Sequence, residues 1–161
     1  MAGTVRQISV KVRTPGERGL PKKSVDSAFV GLGGLVGDYN VYRHEEIEDD
    51  PDSAVLIMPI ETVEELNAEG WPVKPGDLGE NLTTSGIPYS SFSVGKAFTA
   101  GEARLQISRA CEPCDNLFLL PYVRSRGQAF LKTMLGRRGW YARVVKEGWV
   151  KAGDPITEAR V

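Results

Sequence analysis

The stretch Trp140-Tyr141-Ala142-Arg143-Val144-Val145-Lys146-Glu147-Gly148-Trp149-Val150 decides the fold class. Aromatic and β-branched residues fill its first half, as suits a strand. Glu147-Gly148 then makes a turn, and Trp149-Val150 returns as a second strand. Gly153-Asp154 marks another turn.

The same grammar runs back along the chain. Ile8, Val10 and Val12 alternate with polar residues, as on a half-buried strand before the Pro15-Gly16 turn. Ser24 to Val30 reads as a second strand, and the apolar run Ala54 to Met58 as a buried one. Asn81 to Thr84 and Arg104 to Ser108 are extended, with Leu105 and Ile107 on one face. Ile60, Val63 and Leu66 lie three apart and Gly70 follows, which predicts a short helix with a glycine stop. Gln128 to Leu135 predicts another short helix. Strands dominate and no βαβ alternation appears. The expected fold is mainly β with short helices (α+β), a closed or partly closed β-barrel. The three tryptophans are expected in the core or at the rim of that barrel.

Bulk properties narrow the function classes. The 161 residues suit one domain, 1–161, with a core that needs no disulfide staples. A formal net charge of −1 gives no long basic surface, so no nucleic-acid partner is expected. No apolar window approaches the ~18 residues of a membrane span, so no membrane partner is expected. The N-terminal residues lack a secretory apolar stretch. Those features set the expected location as cytoplasmic and reducing. His44 and the acidic run to Asp52 are expected as a solvated loop.

Three segments carry chemistry. Cys111-Glu112-Pro113-Cys114 is a C-x-x-C. Structural zinc takes four ligands, and two cysteines and one histidine do not supply them, so no zinc is expected. A thioredoxin-type pair needs a long helix after the motif, and Asp115-Asn116-Leu117-Phe118-Leu119-Leu120-Pro121 is too short for one. A single working thiolate remains. It would be nucleophile, sulfur carrier or soft metal ligand, with Arg109 favouring its charged form if the fold brings the two together. A small buried core thiol is the competing reading. Pro75 to Gly86 contains Gly76 and Gly79, which allow a tight backbone near a ligand, with Asp77, Glu80 and Asn81 beside them. An ordinary loop-to-strand transition reads equally well. Gly136 to Val144 holds Arg137, Arg138 and Arg143 among aromatic residues. It suits an anionic or planar ligand, or a strand with one solvent face. Arg137 and Arg143 would share a face in an uninterrupted strand.

In this order the segments resemble the MOSC domain family, named for the C-terminal domain of molybdenum cofactor sulfurases, and its bacterial stand-alone branch in particular. The matching stretches are Gly34 to Asp38, Gly76 to Thr84, Arg109 to Cys114 and Gly136 to Val144, continuing to Gly148. A weaker match is Asp52 to Val55. The resemblance is strongest over 30–157 and implies a mainly β, barrel-like fold. The family's signature cysteine follows a proline, as Cys114 follows Pro113. The resemblance implies either sulfur handling linked to the molybdenum cofactor or, as in amidoxime-reducing relatives, molybdenum bound by Cys114 with the pterin phosphate in a basic pocket. It further implies that Gly79, Glu80 and Asn81 line the site and that Arg137, Tyr141 and Arg143 lie near a bound anion.

The chain departs from the family after Asp38. Tyr39-Asn40-Val41-Tyr42-Arg43-His44 replaces the usual histidine- and glycine-rich residues. The chain is also shorter than many relatives, which carry a C-terminal helical part. Within these 161 residues no pyridoxal phosphate domain to release sulfur from cysteine, and no iron–sulfur or flavin module, is expected. Expected partners are therefore a sulfur donor or acceptor protein, or separate electron-transfer partners, with a small-molecule substrate. Three readings follow: a persulfide carrier, sulfur transferase or C–S lyase-like protein with Cys114 as reactive residue, Cys111 resolving and Arg109 assisting; a molybdenum cofactor (molybdopterin) reductase of N-hydroxylated compounds with Cys114 as metal ligand; or a non-enzymatic module binding a cofactor or anion.

Overall fold

Ala103, Leu105 and Ile107 point inward while Arg104 lies outside, and this alternation makes Ala103–Ala110 a strand with one buried face. The same pattern recurs along the chain. A computed structural model describes residues 1–160. In chain order the strands are β1 (Ala2–Val10), β2 (Lys23–Val25), β3 (Ser27–Gly31), β4 (Gly34–Leu35), β5 (Val55–Pro59), β6 (Leu82–Ser85), β7 (Ala97–Ala100), β8 (Ala103–Ala110), β9 (Trp140–Lys146), β10 (Gly148–Lys151) and β11 (Pro155–Ala159). Two α-helices, α1 (Ile60–Ala68) and α2 (Gly127–Met134), join them.

The order β11-β7-β8-β9-β5-β6-β1 closes on itself because β1 also pairs with β11, Ala2 opposite Thr157. That closure makes a seven-stranded barrel and leaves no long open edge. One pair, β5 with β6, is parallel, and a parallel pair needs a crossover. The chain supplies it as α1, followed by the turn Gly70 with φ +95°.

A second, three-stranded sheet of β10, β3 and β4 packs beside the barrel. The strand after the Glu147-Gly148 turn forms as expected, but it leaves β9. Its register runs along β3, Trp149 opposite Phe29. Ser24 to Val30 is two strands, one for each sheet.

The barrel core includes Val5, Ile8, Ile57, Leu82, Phe98, Leu105, Ile107 and Ile156. Val12 lies past the end of β1 and is exposed, because the strand stops at Val10. A second core forms outside the barrel from Met58, Val63, Leu66, Trp71, Leu78 and Phe130, where α1 and α2 meet the Leu117 to Val123 segment. The tryptophans divide accordingly. Trp140 packs on the barrel, Trp71 belongs to the second core, and Trp149 lies half-exposed on the small sheet against Phe29. The acidic run is mostly solvated, yet it is wound into helical turns at Tyr42–Glu46 and Pro51–Ser53. Arg43 buries itself there and donates from Nη1 to the Ala54 carbonyl at 2.6 Å.

Entry into β9 depends on two glycines. Gly139 has φ +100°, and a Cβ on it would lie 2.7 Å from the Ile57 carbonyl oxygen. Gly136 has φ +73° with open space around it. Gly136→Ala is expected to cost about 1 kcal/mol of backbone strain alone. Gly139→Ala adds a clash with barrel backbone and is expected to cost about 2–4 kcal/mol. Urea unfolding of the two variants measures the difference, and equal losses would show that the close approach to Ile57 is not tight.

Candidate functional site

Strand β8 ends at Ala110, but its ladder continues one residue further. The Cys111 N–H donates to the Gly139 carbonyl at 2.8 Å. This bond holds Cys111 inside, where it packs with Leu56 and Tyr141. Glu112 and Pro113 carry the chain outward. Cys114 then stands at the head of the helical turn Asp115–Leu119, its carbonyl accepting the Leu117 N–H at 3.1 Å. The two thiols are unbridged, Cys111 buried and Cys114 exposed.

Both line one cavity of about 230 Å³. Gly19, Leu20 and Lys22, residues 40–42, Leu56, Gly79, Arg109, Glu112, Pro113, Asn116, Arg138 and Tyr141 complete its wall. Three basic residues reach it: Lys22, Arg109 and Arg138.

Lys22 is fully buried and pairs with Asp38 at 2.6 Å. Burial pulls the Lys22 pKa down, and Asp38 only partly restores it. Asp38 also accepts the Lys11 N–H at 2.9 Å and an Asn81 Nδ2–H at 2.9 Å. Arg109 donates to the Ser53 hydroxyl and lies over the Tyr141 ring, 4.9 Å from its centroid. Its charge is therefore committed to partners other than Cys114.

Arg138 differs. It is 5% exposed, and its Nε and Nη1 atoms are shielded with no hydrogen-bond partner. Burial opposes its charge, but Cys111, Tyr141, Cys114 and Glu80 pull more strongly, and its pKa lies above the ordinary arginine value. Tyr141 is pushed up in turn, by burial first and then by Cys111.

The expected cofactor-binding residues fall into two groups. Gly79 and Tyr141 line the cavity. Gly79 has φ +83°, and a Cβ there would press within 2.7 Å of Leu20 Cδ2 and stand 3.9 Å from Arg138 Nη2. Arg137, Arg143, Glu80 and Asn81 are not on its wall. Arg137 forms a forked ion pair with Glu69 and binds the Thr133 carbonyl. Arg143 pairs with Asp52 at 3.0 Å. Their shared-face spacing assumed a continuous strand, and β9 begins only at Trp140, after the two left-handed glycines. Arg138 is the arginine of this segment that turns inward. The interrupting Gly136 and Gly139 were the available signal.

Glu80 and Asn81 build the wall from behind. Glu80 Oε1 accepts the Gly76 N–H at 2.7 Å and the Thr83 hydroxyl at 3.1 Å. Asn81 Oδ1 accepts the Leu56 N–H at 3.1 Å, tying β5 to the start of β6. Sequence reasoning gives no site role to Lys22 or Asn116, and it uses Asp38 only as the end of the family-matching stretch Gly34 to Asp38. Asn116 lines the cavity, and its Oδ1 is buried without a partner. His44 stays outside, facing Asp49 at 3.1 Å. Among the described residues no cluster of three His, Cys, Asp or Glu is placed to hold a metal ion.

Comparison with known proteins follows the same lines. The MOSC domain profile matches residues 44–157. The uncharacterised protein YflK of Bacillus subtilis (strain 168) is 33% identical over 106 residues, 64% of this chain and 46% of that protein. Protein YiiM of Escherichia coli (strain K12) is 29% identical over 127 residues, 76% of this chain and 55% of that protein. The chain thus spans about half the length of the curated relatives it matches. The crystal structure of YiiM from Geobacillus stearothermophilus superposes with TM-score 0.74 at 26% identity, over 98% of this chain and 75% of that one. That of YiiM from Escherichia coli gives 0.70 at 27%, over 99% and 71%.

Burial raises the Glu80 pKa above its ordinary 4.5, despite the bonds from Gly76 and Thr83. The unfolded chain releases this proton near 4.5 and the folded chain holds it longer. The folded state then binds more protons in that window, so stability falls as pH rises through it. Glu80→Gln keeps the Oε1 acceptor and buries no charge. Its melting temperature relative to the parent is expected to climb as pH is raised from 4.5 toward neutrality. A pH-independent difference would remove Glu80 as the source.

Proposed function

The chain belongs to the MOSC domain family, and on that premise we propose that it handles sulfur on Cys114 in molybdenum cofactor metabolism. The observation that carries this reading is the pair of free thiols on one cavity wall, Cys114 exposed and Cys111 buried. An exposed thiolate can meet a donor, and an enclosed wall can shelter what it receives.

The step is a sulfur exchange. The Cys114 thiolate attacks the terminal sulfur of a persulfide R–S–SH. A bond from Sγ to that sulfur forms, the donor S–S bond breaks, and the donor leaves as a thiolate. The proton stays on the transferred sulfur, so charge is conserved. Delivery follows by the reverse exchange with an acceptor thiol. In a second route the Cys111 thiolate attacks Cys114 Sγ, a disulfide forms and hydrosulfide leaves. Donor and acceptor are separate molecules, a protein or a small compound.

A second reading is favoured by the same wall: an exposed soft sulfur donor and a buried guanidinium without a partner suit a metal-bearing anionic cofactor. Cys114 would hold the molybdenum and Arg138 an anionic group, and the bound cofactor would supply redox chemistry. At about 230 Å³ the cavity is smaller than the ~300–1,000 Å³ of pockets that enclose whole cofactors, so it would take one end of the molecule.

Mass spectrometry after incubation with a persulfide donor tests the sulfur reading. One added sulfur atom is expected on the Cys114 peptide, none in Cys114→Ser, and a longer-lived adduct in Cys111→Ser. Absence of the adduct in the parent protein would overturn it. Metal analysis of protein from a molybdenum-replete host tests the second reading, which persistent absence of molybdenum and pterin would defeat.

A further inference from the structure

Sulfur exchange at Cys114 leaves Arg138 unexplained. The other two cations of the cavity have partners, Lys22 in Asp38 and Arg109 in Ser53 and the Tyr141 ring. Arg138 is as withdrawn from water as Lys22 and more so than the half-buried Arg109, yet its Nε and Nη1 have no partner. Desolvating a charge without compensation is costly, so proteins pair such groups. The carboxyl within reach of its charge is Glu80, whose bonded oxygen already serves Gly76 and Thr83 and whose burial favours the neutral form. The thiols, Tyr141 and Glu80 favour its charge from a distance, but none is hydrogen-bonded to its two shielded nitrogens, and an entering anion would add a bonded counter-charge.

Its place is set by the neighbours. Arg138 lines the same cavity as Cys114 and Cys111 and lies close enough to feel the charge of both. At about 230 Å³ the cavity has room for a small anion as a whole, where a large cofactor would enter with one end only. Asn116 Oδ1 is a second buried polar atom on this wall without a partner.

We propose that the cavity binds a small oxyanion carrying a transferable sulfur, a thiosulfonate of which thiosulfate is the simplest, with its oxygens on Arg138 and its outer sulfur toward Cys114. The proposal rests on the sulfur reading and names its substrate class. The Cys114 thiolate attacks the outer sulfur of thiosulfate. The Sγ–S bond forms as the thiosulfate S–S bond breaks, and sulfite leaves with the electron pair of that bond. One thiolate and one dianion become one persulfide anion and one dianion, so no proton, oxidant or reductant enters. Arg138 holds the sulfonate before the step and the sulfite after it. A phosphate would satisfy Arg138 but bring no sulfur to Cys114.

The test charges the protein with two donors, thiosulfate and an uncharged alkyl persulfide, following the Cys114 adduct by mass spectrometry and released sulfite by a colorimetric assay. In the parent both donors charge Cys114, thiosulfate releases one sulfite per adduct, and sulfite competes better than inorganic phosphate. In Arg138→Met the thiosulfate concentration for half-maximal rate rises tenfold or more, as expected for losing a charge-assisted contact. Charging by the alkyl persulfide falls far less than charging by thiosulfate, because that donor feels the guanidinium only through the Cys114 thiolate. Arg138→Lys, which keeps the charge, restores part of the loss. This rescue and an unchanged or raised melting temperature for Arg138→Met separate the effect from misfolding. If the alkyl persulfide charges the parent and thiosulfate does not, the oxyanion proposal falls and the sulfur reading stands. If neither donor charges Cys114, both fall. If Arg138→Met slows both donors equally, Arg138 acts on the thiol and not on the substrate, and the proposal is overturned. If phosphate competes better than sulfite, the anion is a phosphate and the proposal is again overturned.

Discussion

The cavity depends on a buried charge pair, Lys22 with Asp38, both side chains withdrawn from water. Such a pair is tolerable only when its remaining bonds are made. Asp38 accepts from the Lys11 backbone and from Asn81 as well as from Lys22. Asn81 passes the connection on, exchanging bonds with Leu56 in β5 and accepting the Ser9 N–H of β1 through its carbonyl. The chain just past β1, the loops before β2 and after β4 and the start of β6 therefore meet at one carboxylate, with β5 tied in through Asn81. Removing either member of the pair would strand a charge and cost about 3–5 kcal/mol. The glycine turn is a consequence. The Lys22 carbonyl would lie 2.6 Å from a Cβ on Gly76, and Leu20 would press on one at Gly79. The 20–22 segment can close over the cavity only because those two positions have no side chain.

This arrangement explains what was legible in the sequence. Local patterns survive folding. Ile60, Val63 and Leu66 with Gly70 gave α1, and the apolar run Ala54 to Met58 gave β5. The C-x-x-C was legible because its chemistry is contiguous. A closed or partly closed barrel was expected from the run of strands and is found, but the pairing that closes it was not legible, since β1 meets β11 across almost the whole chain and no local signal fixes that register. β7 and β11 are short, one bracketed by alanines and the other opening with proline, and neither stands out as a strand. The departure of β10 to the small sheet is equally non-local, because a tight turn after Lys146 ordinarily implies a hairpin.

The basic residues illustrate the same limit at the site. Spacing in a strand puts Arg137 and Arg143 on one face, and that inference is sound wherever the strand is continuous. Here Gly139 interrupts it. The guanidinium on the cavity is therefore Arg138, while its neighbours meet Glu69 and Asp52. Glu80 and Asn81 invert the expectation in another way. Polar residues beside a glycine turn suggest a ligand, but these two satisfy backbone groups and hold the turn in place. Polar residue type alone does not distinguish a ligand from a strut, because both need hydrogen-bonding atoms and both sit near glycines.

What distinguishes them is which buried polar atoms are left over. Several side chains keep one unpartnered atom: Arg43 Nε, Glu80 Oε2, Thr84 Oγ1 and Trp140 Nε1. Arg43 and Glu80 are anchored through another atom of the same group, so the cost of the spare one is partly met by the bond that places it. Thr84 and Trp140 are neutral, and an unmade bond costs them less than it costs a charge. Arg138 combines a full charge, two shielded unpartnered nitrogens and a place on the wall that carries both thiols. Neither packing nor capping accounts for that combination. A fold that pairs Lys22 and Arg109 on the same wall has the means to pair a third cation. Arg138 therefore has charge and hydrogen-bonding capacity left over beside Cys114, and the proposed anion would take up both.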